Sequence, residues 1–97
     1  MPAYLVAHIT VLDPEGFAEY RAKMPELIAK FGGRYLIRGG AIDVVEAPFE
    51  VDRMTVVEYP SMEMARACYE SADYAPLLAL RQRTARSHVA LIEGFTP

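Results

Sequence analysis

Two arginines, Arg34 and Arg38, close the ends of the run Arg-Tyr-Leu-Ile-Arg, and glycine pairs flank it at Gly32-Gly33 and Gly39-Gly40. A guanidinium standing off a strand beside a glycine gap can grip a carboxylate or an enolate through two parallel hydrogen bonds. It can equally tie the sheet to a carboxylate of its own assembly. For Arg38 both readings stay open, the structural one being an ion pair with a helix carboxylate or across a dimer, with Glu58 as a candidate partner. Side chains alternate along a strand, so the even spacing predicts Arg34 and Arg38 on one face and Tyr35 and Ile37 on the other. Gly39 is the expected point of close backbone approach to a ligand. Arg34 follows a helix end, where capping and dipole contacts suit it better.

Three further positions carry titratable or hydrogen-bonding groups in apolar surroundings. His8 lies in the run Tyr4 to Val11, sharing its face with Tyr4, Val6 and Thr10. Imidazole titrates near neutrality, which makes His8 a candidate general base; the alternative is a buried histidine satisfied by backbone or carboxylate. Glu58 is the one acid in the apolar strand ending at Tyr59, and it shares a face with Met54 and Val56. Burial or an arginine there would alter its acidity, as enzymes do when preparing a base, and exposure at the strand end is the competing reading. His8 and Glu58 are therefore the catalytic candidates. Tyr69 and Tyr74 flank a break in the second helical region, where two phenols can line a gap or simply fill the core. With Arg38 and Gly39 they make the ligand-binding set, while Tyr20 reads as core.

Other chemistries lack their residues. There is no His-x-x-x-His and no cluster of histidines with carboxylates, so no preformed metal site is expected, although His8 and His88 become neighbours if the first and last strands pair. Phosphate-cradling glycine loops and nucleophile elbows are missing too. The single Cys68 excludes an internal disulfide and reads as a buried helix cysteine. A net charge of −3 argues against nucleic acid or an anionic membrane as partner. Arg81, Arg83 and Arg86 read as a solvated helix end. Without a signal sequence or a long apolar span, a reducing, cytoplasmic location is expected, and no cofactor is called for.

The elements that must position these residues follow from periodicity. Tyr4 to Val11 is a strand by β-branched and aromatic content. Asp13-Pro14-Glu15 caps a helix whose apolar stripe runs from Phe17 to Phe31, with Pro25 expected to kink or break it after Lys23. Arg34 to Arg38 is the second strand, with Ala41 to Glu46 as a bent extension or hairpin arm. Arg53 to Tyr59 is the third. Ser61 caps a second helix, which restarts near Ser71 and runs to about Arg83. His88 to Glu93 is the last strand. The order β-α-β-β-α-β over residues 1–97 predicts an α+β, ferredoxin-like domain, an antiparallel sheet with both helices on one face. Strands one, three and four are apolar on both faces, so the helix-free face also wants burial. A second copy of the chain, sheet to sheet, supplies it.

The pieces Asp13-Pro14-Glu15, Ile28-Ala29-Lys30-Phe31-Gly32-Gly33-Arg34, Leu36-Ile37-Arg38-Gly39-Gly40 and Glu58-Tyr59-Pro60-Ser61 stand in this order with Ala65-Arg66-Ala67, Tyr69, Ser71 and Tyr74. In that order the chain resembles the family called domain of unknown function 1330, within the dimeric α/β-barrel superfamily. It departs where the family often has tryptophan, at Cys68. The resemblance implies the ferredoxin-like fold and a homodimer. Superfamily relatives include cofactor-free monooxygenases, isomerases and haem-degrading enzymes, so fold alone selects no chemistry. The expectation is a cofactor-independent enzyme acting on a small anionic organic molecule between sheet and helices. Arg38 would orient an anionic oxygen, and His8 or Glu58 would move a proton. The alternatives are a non-catalytic ligand-binding or stress-associated dimer and a haem-binding or haem-degrading protein.

Overall fold

In a computed structural model describing residues 1–97, the periodic segments become β1 (Ala3–Val11), α1 (Pro14–Lys30), β2 (Arg34–Arg38), β3 (Met54–Tyr59), α2 (Met62–Tyr69), α3 (Ala75–Thr84) and β4 (Ala85–Glu93). The strands form one antiparallel sheet in the order β2-β3-β1-β4. The helices cover one face, the α+β, ferredoxin-like arrangement expected from the element order. Leu5, Ala7 and Ile9 of β1 meet Val57 and Tyr59 of β3 on that face. Only 18 of the 97 residues are buried, because Tyr4, Val6, Met54, Val56 and Ile92 sit on the other face with no layer over them.

Local chemistry sets the helix starts. The Asp13 carboxylate accepts from the Gly16 N–H and Pro14 takes the first helical position, where its missing N–H costs nothing. Ser61 accepts from the Met64 N–H in the same way at α2. Of the kink or break expected at Pro25, the break does not occur: α1 runs through it to Lys30. Proline removes the donor that would have satisfied the Arg21 carbonyl. The Arg38 Nη2 supplies one instead, from strand β2. A helix defect thus becomes the latch between α1 and the sheet edge.

Strand β2 corrects a second expectation. Its pairing with β3 shifts between Tyr35 and Ile37, so Leu36 is an extra residue in the ladder. Such a bulge reverses the alternation downstream. Arg34 and Ile37 consequently lie on the helix-free face, opposite Glu58 and Val56, while Tyr35 and Arg38 share the helix face, opposite Val57 and Thr55. Arg34 and Arg38 do not share a face. The Arg38 guanidinium instead lies 4.6 Å from the centre of the Tyr35 ring.

Two boundaries also move. Ala41 to Glu46 forms no strand but part of an exposed loop from Gly40 to Arg53, since β2 is an edge strand and nothing pairs beyond it. Strand β4 begins at Ala85, three residues early, because β1 pairs with it residue for residue from Val11↔Ala85 onward. Partner geometry there overrides the polar Arg86 and Ser87.

Candidate functional site

Helices α1, α2 and α3 do not close completely on the sheet. A cavity of about 40 Å³ remains between them, walled by Leu5, Ala7 and Ile9 below and by Phe17, Met24 and Ile28 of α1 above. That is room for roughly three waters at ~10–15 Å³ each, or for one carboxylate group. Its polar lining is one-sided in charge: four arginines, five tyrosines, Thr55 and Cys68, with neither a carboxylate nor an imidazole.

Arg81 forms the inner end. It comes from α3 and is 3% exposed. Its Nη2 donates to the Tyr69 hydroxyl at 3.4 Å, while its buried Nε has no hydrogen-bond partner. No carboxylate pairs with it. Burial works against its charge, while Tyr74, Tyr20 and Tyr69 pull the other way and leave its pKa raised. Tyr20 and Tyr74 answer the cation as phenolates only at high pH, since burial raises the pKa of both. At neutrality Arg81 is therefore a buried cation facing neutral dipoles. The Tyr20 and Tyr74 hydroxyls lie 3.4 Å apart beside it. The expectation that Arg81 belongs to a solvated helix end is overturned. Tyr74, Leu77, Leu78 and Arg81 fall at i, i+3, i+4 and i+7, one helix stripe, and that spacing was the signal.

Arg21, Arg38 and Arg53 form the outer end, where α1 faces strands β2 and β3. None makes an ion pair. Burial lowers the pKa of Arg53, and the like charges of Arg21 and Arg38 lower it further, so the three cations repel one another. Gly39 makes this cluster compact. Its φ is +69°, and a Cβ there would lie 2.5 Å from Arg53 Nη1. Gly39 therefore yields space to a guanidinium instead of touching the cavity itself. Arg21 and Arg53 were missed from sequence, although Arg21 follows Phe17 by four and Arg53 shares parity with Val57 and Tyr59.

The remaining candidates divide cleanly. Tyr69 and Tyr74 stand in the cavity lining where the helical region breaks, with Tyr74 also buried in the core, and their rings are 5.2 Å apart. Arg38 lines it as well. Tyr20, read as core, is both buried and part of the lining. Cys68 is walled in, with the Tyr59 hydroxyl 3.4 Å from its sulfur and its thiol pKa raised by burial. His8 and Glu58 are elsewhere, on the helix-free face. His8 Nε2 accepts from the Asp52 N–H at 3.1 Å, and its ring stacks on that of His88 at 6.2 Å. Glu58 accepts from Arg34 Nε at 2.8 Å and from the Tyr4 hydroxyl at 3.1 Å. The Arg34 hydrogen bond, then that of Tyr4, lowers its pKa below the ordinary carboxylate value. Glu58 thus pairs with Arg34 and not with Arg38. Neither histidine lines the cavity, so the haem reading has no histidine ligand there.

The fold is α+β and ferredoxin-like, and its inter-layer cavity is a cationic, tyrosine-walled one. The chain belongs to the domain of unknown function 1330 family, which it matches over residues 2–95. No curated protein sequence matches it. Among solved structures it is similar to a protein of unknown function from Rhodopseudomonas palustris, with 17% identity, a TM-score of 0.78, and coverage of 99% of this chain and 84% of that one. It is also similar to SnoaB, a cofactor-independent oxygenase from Streptomyces nogalater, with 14% identity, a TM-score of 0.67, and coverage of 99% and 95%. A hypothetical protein from Arabidopsis thaliana gives 10% identity, a TM-score of 0.69, and coverage of 99% and 90%. At these identities the likeness shows the fold. No helix of the chain is long and apolar enough to cross a membrane.

Proposed function

We propose that this protein binds a small organic acid in the cavity between sheet and helices and acts on it without a cofactor, by stabilising its anion. One observation carries the reading: Arg81 lines the cavity, is 3% exposed and lacks a counter-ion, and its buried Nε has no hydrogen-bond partner. An unpaired buried charge costs several kcal/mol, so the site is complete only with an anion in it. A guanidinium and phenol donors fixed in a water-poor cavity suit the chemistry of a developing enolate. The C–H bond beside the bound carbonyl breaks, its proton leaves to water at the mouth, and its electron pair moves onto the oxygen held by Arg81. Return of a proton at another carbon makes an isomerase. Attack of the enolate carbon on dioxygen, as second substrate, forms a carbon-bound peroxide that takes up a proton. Where that carbon keeps a hydrogen, loss of water from the hydroperoxide leaves a new carbonyl, which makes an oxygenase. The second outcome is in keeping with a fold shared with a cofactor-independent oxygenase. In this reading His8 and Glu58 do not touch the reacting atoms.

Binding without turnover is the second reading, and the composition of the wall favours it: no carboxylate or imidazole is placed to take a proton. Titration with aromatic and aliphatic monocarboxylates, followed by deuterium exchange at the acidic carbon of those that bind, separates the two. Saturable binding lost in Arg81→Met supports the site, and exchange faster than in buffer supports the enzyme. If none of these acids protects the protein at millimolar concentration, the site is misread. The assembly proposal stands beside this one: two chains joined through their helix-free sheet faces, covering Val6, Met54, Val56 and Ile92.

A further inference from the structure

We infer that the loop from Gly40 to Arg53 docks on a second copy of this chain, extending the helix-free sheet face into a dimer surface of two parts. The inference rests on the sheet-to-sheet assembly proposed above and adds the element that completes it. Ile42, Val44, Val45 and Phe49 are all exposed in the single chain, Val45 by 87% and Phe49 by 59%. Large apolar side chains gathered in one loop are not the scattered kind that a monomer's surface carries. Nor does its own chain satisfy the loop: no backbone hydrogen bond begins or ends between Gly40 and Val51. Loops of this length without structure of their own are ordinarily functional.

Two contacts place the loop on the helix-free side. The Asp52 N–H donates to His8 Nε2 at 3.1 Å, and the Asp52 carboxylate accepts from the Thr10 hydroxyl. Both partners stand on that face of β1. Ile42, Phe49 and Val51 border an open apolar hollow with Leu36, Ile37 and Met54, of which Ile37 and Met54 belong to the sheet face itself. Loop and face are therefore one continuous apolar surface. Area decides what covers it. The sheet face alone offers about 400 Å² per chain, half of the ~800 Å² that each partner buries in a stable interface. Leu36, Ile37 and the loop residues, at their observed exposures, add on the order of 500 Å² and bring the sum to what a dimer needs. Charge selects the same occupant. Asp43, Glu46, Glu50 and Asp52 are acids, and no base stands between Gly40 and Asp52, so an anionic membrane repels the loop. The sheet face of a second copy instead carries Arg86, a cation with no ion pair in its own chain.

Sedimentation of the whole protein across micromolar concentrations tests this, with the fold of each variant checked by circular dichroism. The double change Val45→Ser with Phe49→Ser should weaken the dimer by about 100-fold or more, since symmetry places it in the interface twice. Val56→Ser, on the sheet face, should weaken it as well. Met64→Ser, an apolar loss on helix α2 outside both surfaces, should leave it unchanged. If the loop variant does not fold, thermolysin on the wild type answers the same question. Cleavage before Val44, Val45 and Phe49 should then slow as the protein is concentrated into the dimer. A dimer weakened by Val56→Ser but not by the loop variant, or a loop cut equally fast in dimer and monomer, overturns the loop and leaves the sheet-face assembly standing. Weakening by the loop variant alone overturns the sheet half, and with it the claim that the loop extends that face. A dimer indifferent to both variants, or a wild type that is not a dimer, overturns face and loop together. If such a monomer cosediments with phosphatidylcholine vesicles, the loop belongs to a lipid surface instead.

Discussion

Replacing Arg81 with methionine should make the ligand-free protein more stable, which is the reverse of what a buried, hydrogen-bonded residue ordinarily shows. Methionine keeps most of the apolar stem and removes a cation that is 3% exposed and has no acidic partner. Exchanging buried ionic groups for apolar ones of similar volume stabilises by about 1–4 kcal/mol where it has an effect. The one interaction lost is the long Nη2 bond to Tyr69, at 3.4 Å, a loss of about 0.5–1 kcal/mol. The net gain is then about 0–3.5 kcal/mol, at most roughly 14–28 °C in melting temperature for a domain of this size. Thermal unfolding by circular dichroism in a buffer free of carboxylates and phosphates reads it directly. Arg81→Lys, which keeps the charge and shortens its reach, should show no such gain. A melting temperature in Arg81→Met below that of wild type would refute the reasoning, because it would make Arg81 a structural residue and leave the cavity without its anion seat.

Arg38 and Pro25 should couple. Arg38→Met leaves the Arg21 carbonyl without its donor and costs about 0.5–1.5 kcal/mol, whereas the same change in a Pro25→Ala background, where the helix supplies its own N–H, costs less; additive urea midpoints would remove the latch. Glu58→Gln tests the outer face by pH. The Glu58 pKa is held below its ordinary 4.5, first by Arg34 and then by Tyr4, so its contribution is present above that value and fades as pH falls through the lower folded one. The stability gap between wild type and Glu58→Gln should accordingly be constant from about pH 6 to 8 and close below about pH 4.5; a gap that persists in acid contradicts the pair. Sedimentation at micromolar concentration should give a dimer, since covering on the order of 400 Å² of apolar sheet per chain yields ~10 kcal/mol gross at ~25 cal/mol/Å² before association costs. A monomer would mean that the apolar face is tolerated in water.

Local signals were enough to place every strand and helix in order. Asp13 and Ser61 cap as their side chains dictate, the stripe from Phe17 to Ile28 buries where its period points, and Tyr69 and Tyr74 meet at the helix break. These depend on neighbours within one or two turns, which the chain order supplies. Parity on β1 and β3 was legible for the same reason, and it put His8 and Glu58 on the faces they occupy. What escaped was set by groups far apart in the chain. The bulge at Leu36 arises from the register against β3, and it moves Arg38 to the cavity face while Arg34 stays on the other. Pro25 stays inside α1, and the Arg21 carbonyl it frees is met by Arg38 from the far edge of the sheet, a pairing between residues 17 apart in the chain. Arg81 carries its stripe position in the sequence, but the fact that matters about it is that no acid lies near it. Only the packed chain can decide the absence of a counter-ion, because any of the 13 acids could have been folded against it and none was.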